Sequence, residues 1–328
     1  MSSLELALTT LLSPMVLFFV LGLAAALMRS QMTVPEAFSK GLAIYLMMAI
    51  GFKGGVEMSK TALSLDLLGI TVLALVLSFG MPVIAYNYLR RVSKMNRTDA
   101  AATAGHYGSI SIVTFVAATE ALKISGIPIS GFMVAMAALM ETPAIISALL
   151  LAQRGLKKEN QVVGAESGEL MREVFLNASV VVLIGAMAIG WITGEPGMER
   201  VAPLFVAPFQ GVLCLFLLDM GLNAGRGLRT GWRALKFTTL LFGGLMPLVG
   251  AALALGGALA LGMSLGDTVL MMVLAASASY IAVPAAMRLA LPKAKPSIYL
   301  TLSLGVTFPF NLVVGIPLYI AAAQMMIG

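Results

Sequence analysis

Two short segments hold most of the polar chemistry of an otherwise apolar chain. Residues 105–114 read Gly105-His106-Tyr107-Gly108-Ser109-Ile110-Ser111-Ile112-Val113-Thr114, and residues 275–284 read Ala275-Ala276-Ser277-Ala278-Ser279-Tyr280-Ile281-Ala282-Val283-Pro284. Both place hydroxyls and small residues in the middle of a hydrophobic run. Pro284 lacks a backbone donor and is expected to break its helix. Unwound backbone at membrane depth survives only where protein buries it or where it lines a wet cavity. Two half-helix N-termini facing one another would offer free N–H groups and positive dipole ends to a small anion. Ser109, Ser111, Ser277 and Ser279 would add hydroxyl donors without a full charge, so the anion could leave again. The plainer alternative is that these serines bond their own helix backbone.

One carboxylate stands out. Glu141 precedes Thr142-Pro143 inside an apolar run, where an acid is costly and is a functional candidate by default. It could ligate Na⁺ together with Thr142 and freed carbonyls, accept a proton, pair with His106 or cap a half-helix. Asn311, just after Pro309, offers a carbonyl oxygen to a cation or an NH₂ to an anion. Glu141, Thr142 and Asn311 are therefore the candidate cation ligands, with Glu141 as the one metal-ligating acid. His106, the sole histidine, reads as a buried hydrogen-bonded imidazole more readily than as a proton relay. Lys53 and Asp219 read as span-end residues that reach the interface, and Lys53 also suits an anion-attracting place at an outer mouth. No nucleotide loop, catalytic triad or metal cluster is present in the sequence, so no enzyme is expected and no organic cofactor.

The composition names the solvent these residues live in. Of 328 residues, 59% are hydrophobic and 11% charged, with mean hydropathy +0.97, too little charge to cover a soluble domain of this length. The 33 glycines fit close helix packing in a membrane. Cys214 lies in an apolar run and, being single, excludes an internal disulfide. Hydrophobic runs predict an all-α polytopic membrane protein with ten helices near 9–28, 34–52, 64–89, 99–118, 128–152, 174–193, 201–223, 235–262, 267–289 and 296–326. Arginines and lysines cluster after the third, fifth, seventh and ninth runs, at Arg90, Arg91, Lys94 and Arg97, then Arg154, Lys157 and Lys158, then Arg226, Arg229, Arg233 and Lys236, then Arg288, Lys293 and Lys295. The positive-inside rule puts those loops in the cytoplasm of a cell inner (plasma) membrane and both termini outside.

The halves echo one another. Gly41, Gly51 and Gly55 have the spacing of Gly211, Gly221 and Gly225; FGMPV matches GLMPL around Pro82 and Pro247; the two serine segments and the METPA and TFPFN strings follow in the same order. The expected architecture is a 5+5 inverted repeat: residues 1–152, a cytoplasmic linker 153–173, and residues 174–328, with the fourth and ninth spans broken. An odd number of spans per half inverts the second half, the pattern of secondary transporters with a midplane site.

The strings IGFKGG (50–55), METPA (140–144), AASASYIAVPAAMRLALPKAKPSIY (275–299) and GIPLYI (315–320) resemble the sodium-dependent bicarbonate transporters, and the likeness runs over nearly the whole chain. The resemblance implies a gate and a core domain, a homotrimer, and Na⁺ as the coupling ion. It implies a substrate, bicarbonate or another small anion, between the broken fourth and ninth spans, surrounded here by Gly108, Ser109, Ser111, Thr114, Ser277, Ser279 and Tyr280. It also implies a small P-II-like regulatory protein as a cytoplasmic partner. Tyr280 stands where the family pattern has an aspartate. Two further readings stand beside it: a carrier of another small solute such as a monocarboxylate on the same fold, and, from another class, a cation/proton antiporter or channel-like pore turning on Glu141 and His106. Nothing points to nucleic acid.

Overall fold

The computed structural model describes residues 12–60, 65–156, 178–231, 235–280, 283, 284, 287 and 291–327, and among them every regular element is helical. In chain order they are α1 (Pro14–Leu27), α2 (Glu36–Ser59), α3 (Leu65–Arg91), α4 (Arg97–His106), α5 (Ile112–Ile124), α6 (Phe132–Leu156), α7 (Ala178–Phe205), α8 (Phe209–Gly231), α9 (Phe237–Ala260), α10 (Leu265–Ala276) and α11 (Pro296–Ile327). Seven of these, α2, α3, α6, α7, α8, α9 and α11, are long and apolar enough to cross a membrane, and α1 and α10 are apolar but shorter. Helix α11 is wound irregularly, with π-helical turns at Thr301–Thr307 and Asn311–Gly315 on either side of a short α-helical Phe308–Phe310.

Several boundaries depart from the sequence reading. The second run extends to Ser59, because Lys53 and Glu57 lie four apart on an exposed face of α2 and do not end it. The sixth does end where expected, after 193: Gly194 adopts φ 58°, ψ −154°, the chain kinks there, and a further helical stretch follows through Pro196 to Phe205. Consequently the seventh run starts at Phe209 and not at 201. Near Pro284, the irregular backbone among the described residues is at 277–280, and Val283 and Pro284 are themselves helical.

Helix pairing follows from glycine. α2 packs along α7, and α1 along α8. A Cβ at Gly55 would lie 1.9 Å from the Met187 carbonyl oxygen and one at Gly51 2.6 Å from that of Leu183. Gly221 meets the Phe19 carbonyl in the same way, and Gly225 that of Leu23. These four helices form one body and α3, α4, α5, α6, α9, α10 and α11 the other; the larger buried core runs through both, and α8 also packs on α11.

The loop ends pair with equal regularity. Arg226 bonds the Met32 carbonyl at 2.5 Å, and Lys60 meets Glu195 at 2.9 Å. In the second body, Asp99 accepts the Lys295 N–H and Asp267 accepts the Ser130 N–H, each at 2.8 Å. The carboxylates of Glu195 and Glu57 hold the exposed Lys60 ammonium above its usual pKa.

The glycine contacts generate a test. Gly55→Val forces the α2 and α7 backbones apart and should cost roughly 1–3 kcal/mol or more. Gly41→Ala, where no atom lies within 4 Å of the added carbon, should be neutral or stabilising by up to about 1 kcal/mol. Thermal midpoints in detergent separate the two.

Candidate functional site

The break between α4 and α5 begins at His106, whose helix ends with Tyr107 as C-cap. Helix α5 restarts after Ser111, an N-cap in extended conformation, whose Oγ accepts the Thr114 N–H at 3.2 Å and the Thr114 hydroxyl at 2.9 Å. Across from it α10 ends at Ala276, and Ser277 takes an extended conformation. Ser277 donates its hydroxyl to the Leu274 carbonyl and accepts the Ser111 N–H, both at 2.9 Å. The two interruptions are thus bonded to one another. Ser277 satisfies both readings of the sequence, bonding its own helix and serving the opposite segment.

A second exchange locks the crossing. The Ser279 N–H donates to the His106 carbonyl at 2.8 Å, and His106 Nδ1 lies 2.5 Å from the Ser279 carbonyl. A carbonyl only accepts, so Nδ1 carries the proton and Nε2 is left as a bare lone pair, buried and without a protein partner. The ring stacks on Tyr299 at 4.7 Å. His106 is therefore committed to the crossing and forms no pair with Glu141.

The remaining predicted residues fall into place around these bonds. Gly108 lies against Pro82 of α3, where a Cβ would come within 2.3 Å of the ring, so only glycine lets the break approach α3. Ser109 is fully buried and its hydroxyl has no partner. The Tyr280 hydroxyl is likewise buried and unpartnered, near Ser111 but outside hydrogen-bonding geometry. Its ring packs on Phe308 at 5.3 Å, and Phe308 on Phe19 of α1 at 5.2 Å, which links the crossing to the other body.

Of the cation candidates, Glu141 is 5% exposed, and no hydrogen bond or ion pair joins it to another described residue. The Thr142 side chain lies outside the described residues. Asn311 is fully buried and already engaged: its NH₂ donates to the Ala276 carbonyl at the end of α10, and its oxygen accepts the Tyr319 hydroxyl, each at 2.8 Å. Asn311 is thereby joined to the crossing, whereas Glu141 is not. Among the described residues no group of three or more His, Cys, Asp or Glu side chains could hold a metal ion, so a cation here would rely on hydroxyls, carbonyls and one carboxylate.

A cavity of about 410 Å³ opens between α2, α5, α8 and the chain leading into α6. Its wall includes Phe115 and Val116, directly after Thr114, and its polar groups include Lys53, Glu57, Glu120, Lys123 and Gln210. Gln210 donates to Glu120 at 3.0 Å, tying one body to the other there. Lys53 lines this cavity and has no ion pair among the described residues.

Three residues at the site were not singled out from the sequence. The Tyr107 hydroxyl pairs with Thr307 at 2.7 Å, Ser78 donates to the Met140 carbonyl, also at 2.7 Å, and Tyr319 holds Asn311. Their only prior signal was a hydroxyl in an apolar run.

Interrupted helices, bonded at their breaks and surrounded by buried hydroxyls inside a bundle of apolar helices, define a multi-pass membrane transport protein. The profile of the Na⁺-dependent bicarbonate transporter superfamily matches residues 14–324, and the chain belongs to that superfamily; it is a transporter and not an enzyme. No curated protein matches the chain.

The Asn311 contacts give a direct expectation. Asn311→Leu strands the Ala276 carbonyl and the Tyr319 hydroxyl, at a cost on the order of 1–3 kcal/mol for each. Tyr319→Phe removes one bond and should cost about 1 kcal/mol. Thermal unfolding of the two variants should rank them in that order.

Proposed function

We propose that the protein is a Na⁺-coupled symporter that takes up bicarbonate or a similarly small anion by alternating access. The observation that carries this reading is the pair of bonded helix breaks whose interior hydroxyls, on Ser109 and Tyr280, have no protein partner. Buried donors without partners cost free energy unless a ligand meets them. The anion is held by these hydroxyls, by Ser111 and by the N-terminal N–H groups of α5, with Gly108, Thr114, Ser277 and Ser279 shaping the crossing. Na⁺ binds near Glu141, Thr142 and carbonyls next to Pro143, and Asn311 ties that region to α10. Positive charge there offsets the charge of the anion.

Ten crossings arranged as two inverted halves support the alternating motion. In this reading α4 and α5 form the broken fourth crossing, and α10 opens the ninth. Residues 1–152 and 174–328 are the halves, joined by a cytoplasmic linker at 153–173 that lies largely outside the described residues. The reciprocal packing of α1 on α8 and of α2 on α7 supports the repeat, as does the matched glycine environment of Gly51 and Gly221. The α1, α2, α7, α8 body serves as gate, and the other slides past it as the core. The pairing of loop ends supports two opposite faces, and the distribution of basic residues supports a plasma-membrane location with both termini outside. The apolar face of α7, with Val181, Ile184, Ile189 and Trp191 exposed, supports contact with lipid or with neighbours in a homotrimer. A P-II-like regulator on the cytoplasmic side completes the proposal on family resemblance.

The size and apolar wall of the cavity favour a second reading, in which the solute is a monocarboxylate. Acetate or pyruvate that displaces bound bicarbonate at lower concentration than bicarbonate itself would establish it.

For the symporter, radiolabelled bicarbonate uptake into proteoliposomes should require Na⁺ and collapse in choline. Glu141→Gln should lower uptake at least about tenfold, equivalent to about 1.4 kcal/mol, and remove its Na⁺ dependence. Uptake that is equally fast in choline overturns the coupling.

A further inference from the structure

Two buried aspartates occupy matching places at the outer ends of the half-helices. Asp99 and Asp267 are 3% and 4% exposed, and each stands three residues after an N-cap, Asn96 for α4 and Ser264 for α10. Each N-cap side chain accepts the aspartate N–H, at 2.8 Å from Asn96 and 3.3 Å from Ser264. Each returns a donor to the carboxylate, Asn96 at 2.5 Å and Ser264 at 2.8 Å. This is a variant of the capping box, in which the aspartate bonds the N-cap side chain and not the N-cap backbone N–H.

The carboxylates then reach beyond their own helices. Asp267 accepts the Ser130 N–H at 2.8 Å and the Ser130 hydroxyl at 2.7 Å, in the chain that leads into α6. Asp99 accepts the Lys295 N–H at 2.8 Å, in the chain that leads into α11. Helix capping alone needs neither contact. Each bond joins a half-helix from one half of the sequence to a helix entrance in the other.

The registers that result bear on the site. Ser277 lies ten residues beyond Asp267, and Glu141 eleven beyond Ser130. At 1.5 Å per residue both are about 15 Å from the latch along neighbouring helices, and so at one depth. We propose that Asp267, with Asp99 as its counterpart, is a positioning residue that fixes the anion-binding break against the cation-binding carboxylate and thereby couples the two ions. This inference rests on the symporter reading, with Na⁺ near Glu141.

The test measures bicarbonate affinity of the purified full-length protein with and without saturating Na⁺, at fixed pH. The ratio of the two dissociation constants is the coupling factor, expected at about tenfold or more in the wild type. Asp267→Ala should reduce it to less than about threefold. Ser264→Ala removes part of the helix cap but leaves the Ser130 bonds, so it should lower thermal stability and keep the wild-type factor. Asn96→Ala and Asp99→Ala form the parallel pair. Asp267→Asn keeps one oxygen for the Ser130 N–H and should fold where the alanine variant does not; its factor should fall below that of the wild type. If Asp267→Ala or Asp267→Asn retains the full factor, or if Ser264→Ala loses as much, the positioning role is overturned while the symporter stands. If the wild type itself shows no Na⁺ effect on bicarbonate affinity, the symporter reading fails, and the coupling role fails with it.

Discussion

A backbone amide or carbonyl in hydrocarbon has no water to turn to, so every one that leaves a helix must find a partner in the protein. That constraint organises the second body of this molecule. Breaking α4 from α5 and ending α10 in mid-bundle frees several such groups, and the structure satisfies them reciprocally: Ser111 N–H on Ser277 Oγ, Ser279 N–H on the His106 carbonyl, His106 Nδ1–H on the Ser279 carbonyl, Asn311 on the Ala276 carbonyl. Each interruption is tolerable because the other is there. Among the buried side-chain groups without a protein partner are the hydroxyls of Ser109 and Tyr280.

The first body obeys a different rule. Water gives no hydrophobic push between helices in lipid, and association depends on close contact. Gly51, Gly55, Gly190, Gly22, Gly221 and Gly225 bring carbonyls within reach of the facing helix where any side chain would collide. The result is a pair of tight helix couples with few polar bonds between this body and the other. One such bond is Gln210 on Glu120, at the edge of the cavity, and the aromatic series Tyr280, Phe308 and Phe19 is the apolar counterpart.

The aspartates show how a pattern becomes legible only with hindsight. Asn96-x-x-Asp99 and Ser264-x-x-Asp267 are both local capping signals, and as such could be read from the chain. Their bonds to Lys295 and Ser130 could not, because the partners are backbone groups far away in sequence whose side chains carry no relevant signal. The same holds for Tyr319, which supports Asn311 from two turns along α11, and for Tyr107 and Thr307, joined across distant helices.

The sequence by itself determined the membrane class, the approximate positions of the apolar helices and the two segments at which polar chemistry gathers, because hydropathy and small-residue clusters are local properties. It also contained the family, through strings spread along residues 14–324. It misplaced the start of α8, since a helical stretch after the kink at Gly194 runs on to Phe205 where the next span was expected to begin. It tied the break to Pro284, whereas among the described residues the irregular backbone lies at 277–280 and Pro284 is helical. Only the tertiary structure decided which nitrogen of His106 carries its proton, which hydroxyls stay unpartnered, and that Glu141 stands apart from the imidazole. Those outcomes depend on which distant backbone group lies within 3 Å, and packing, not composition, sets that distance.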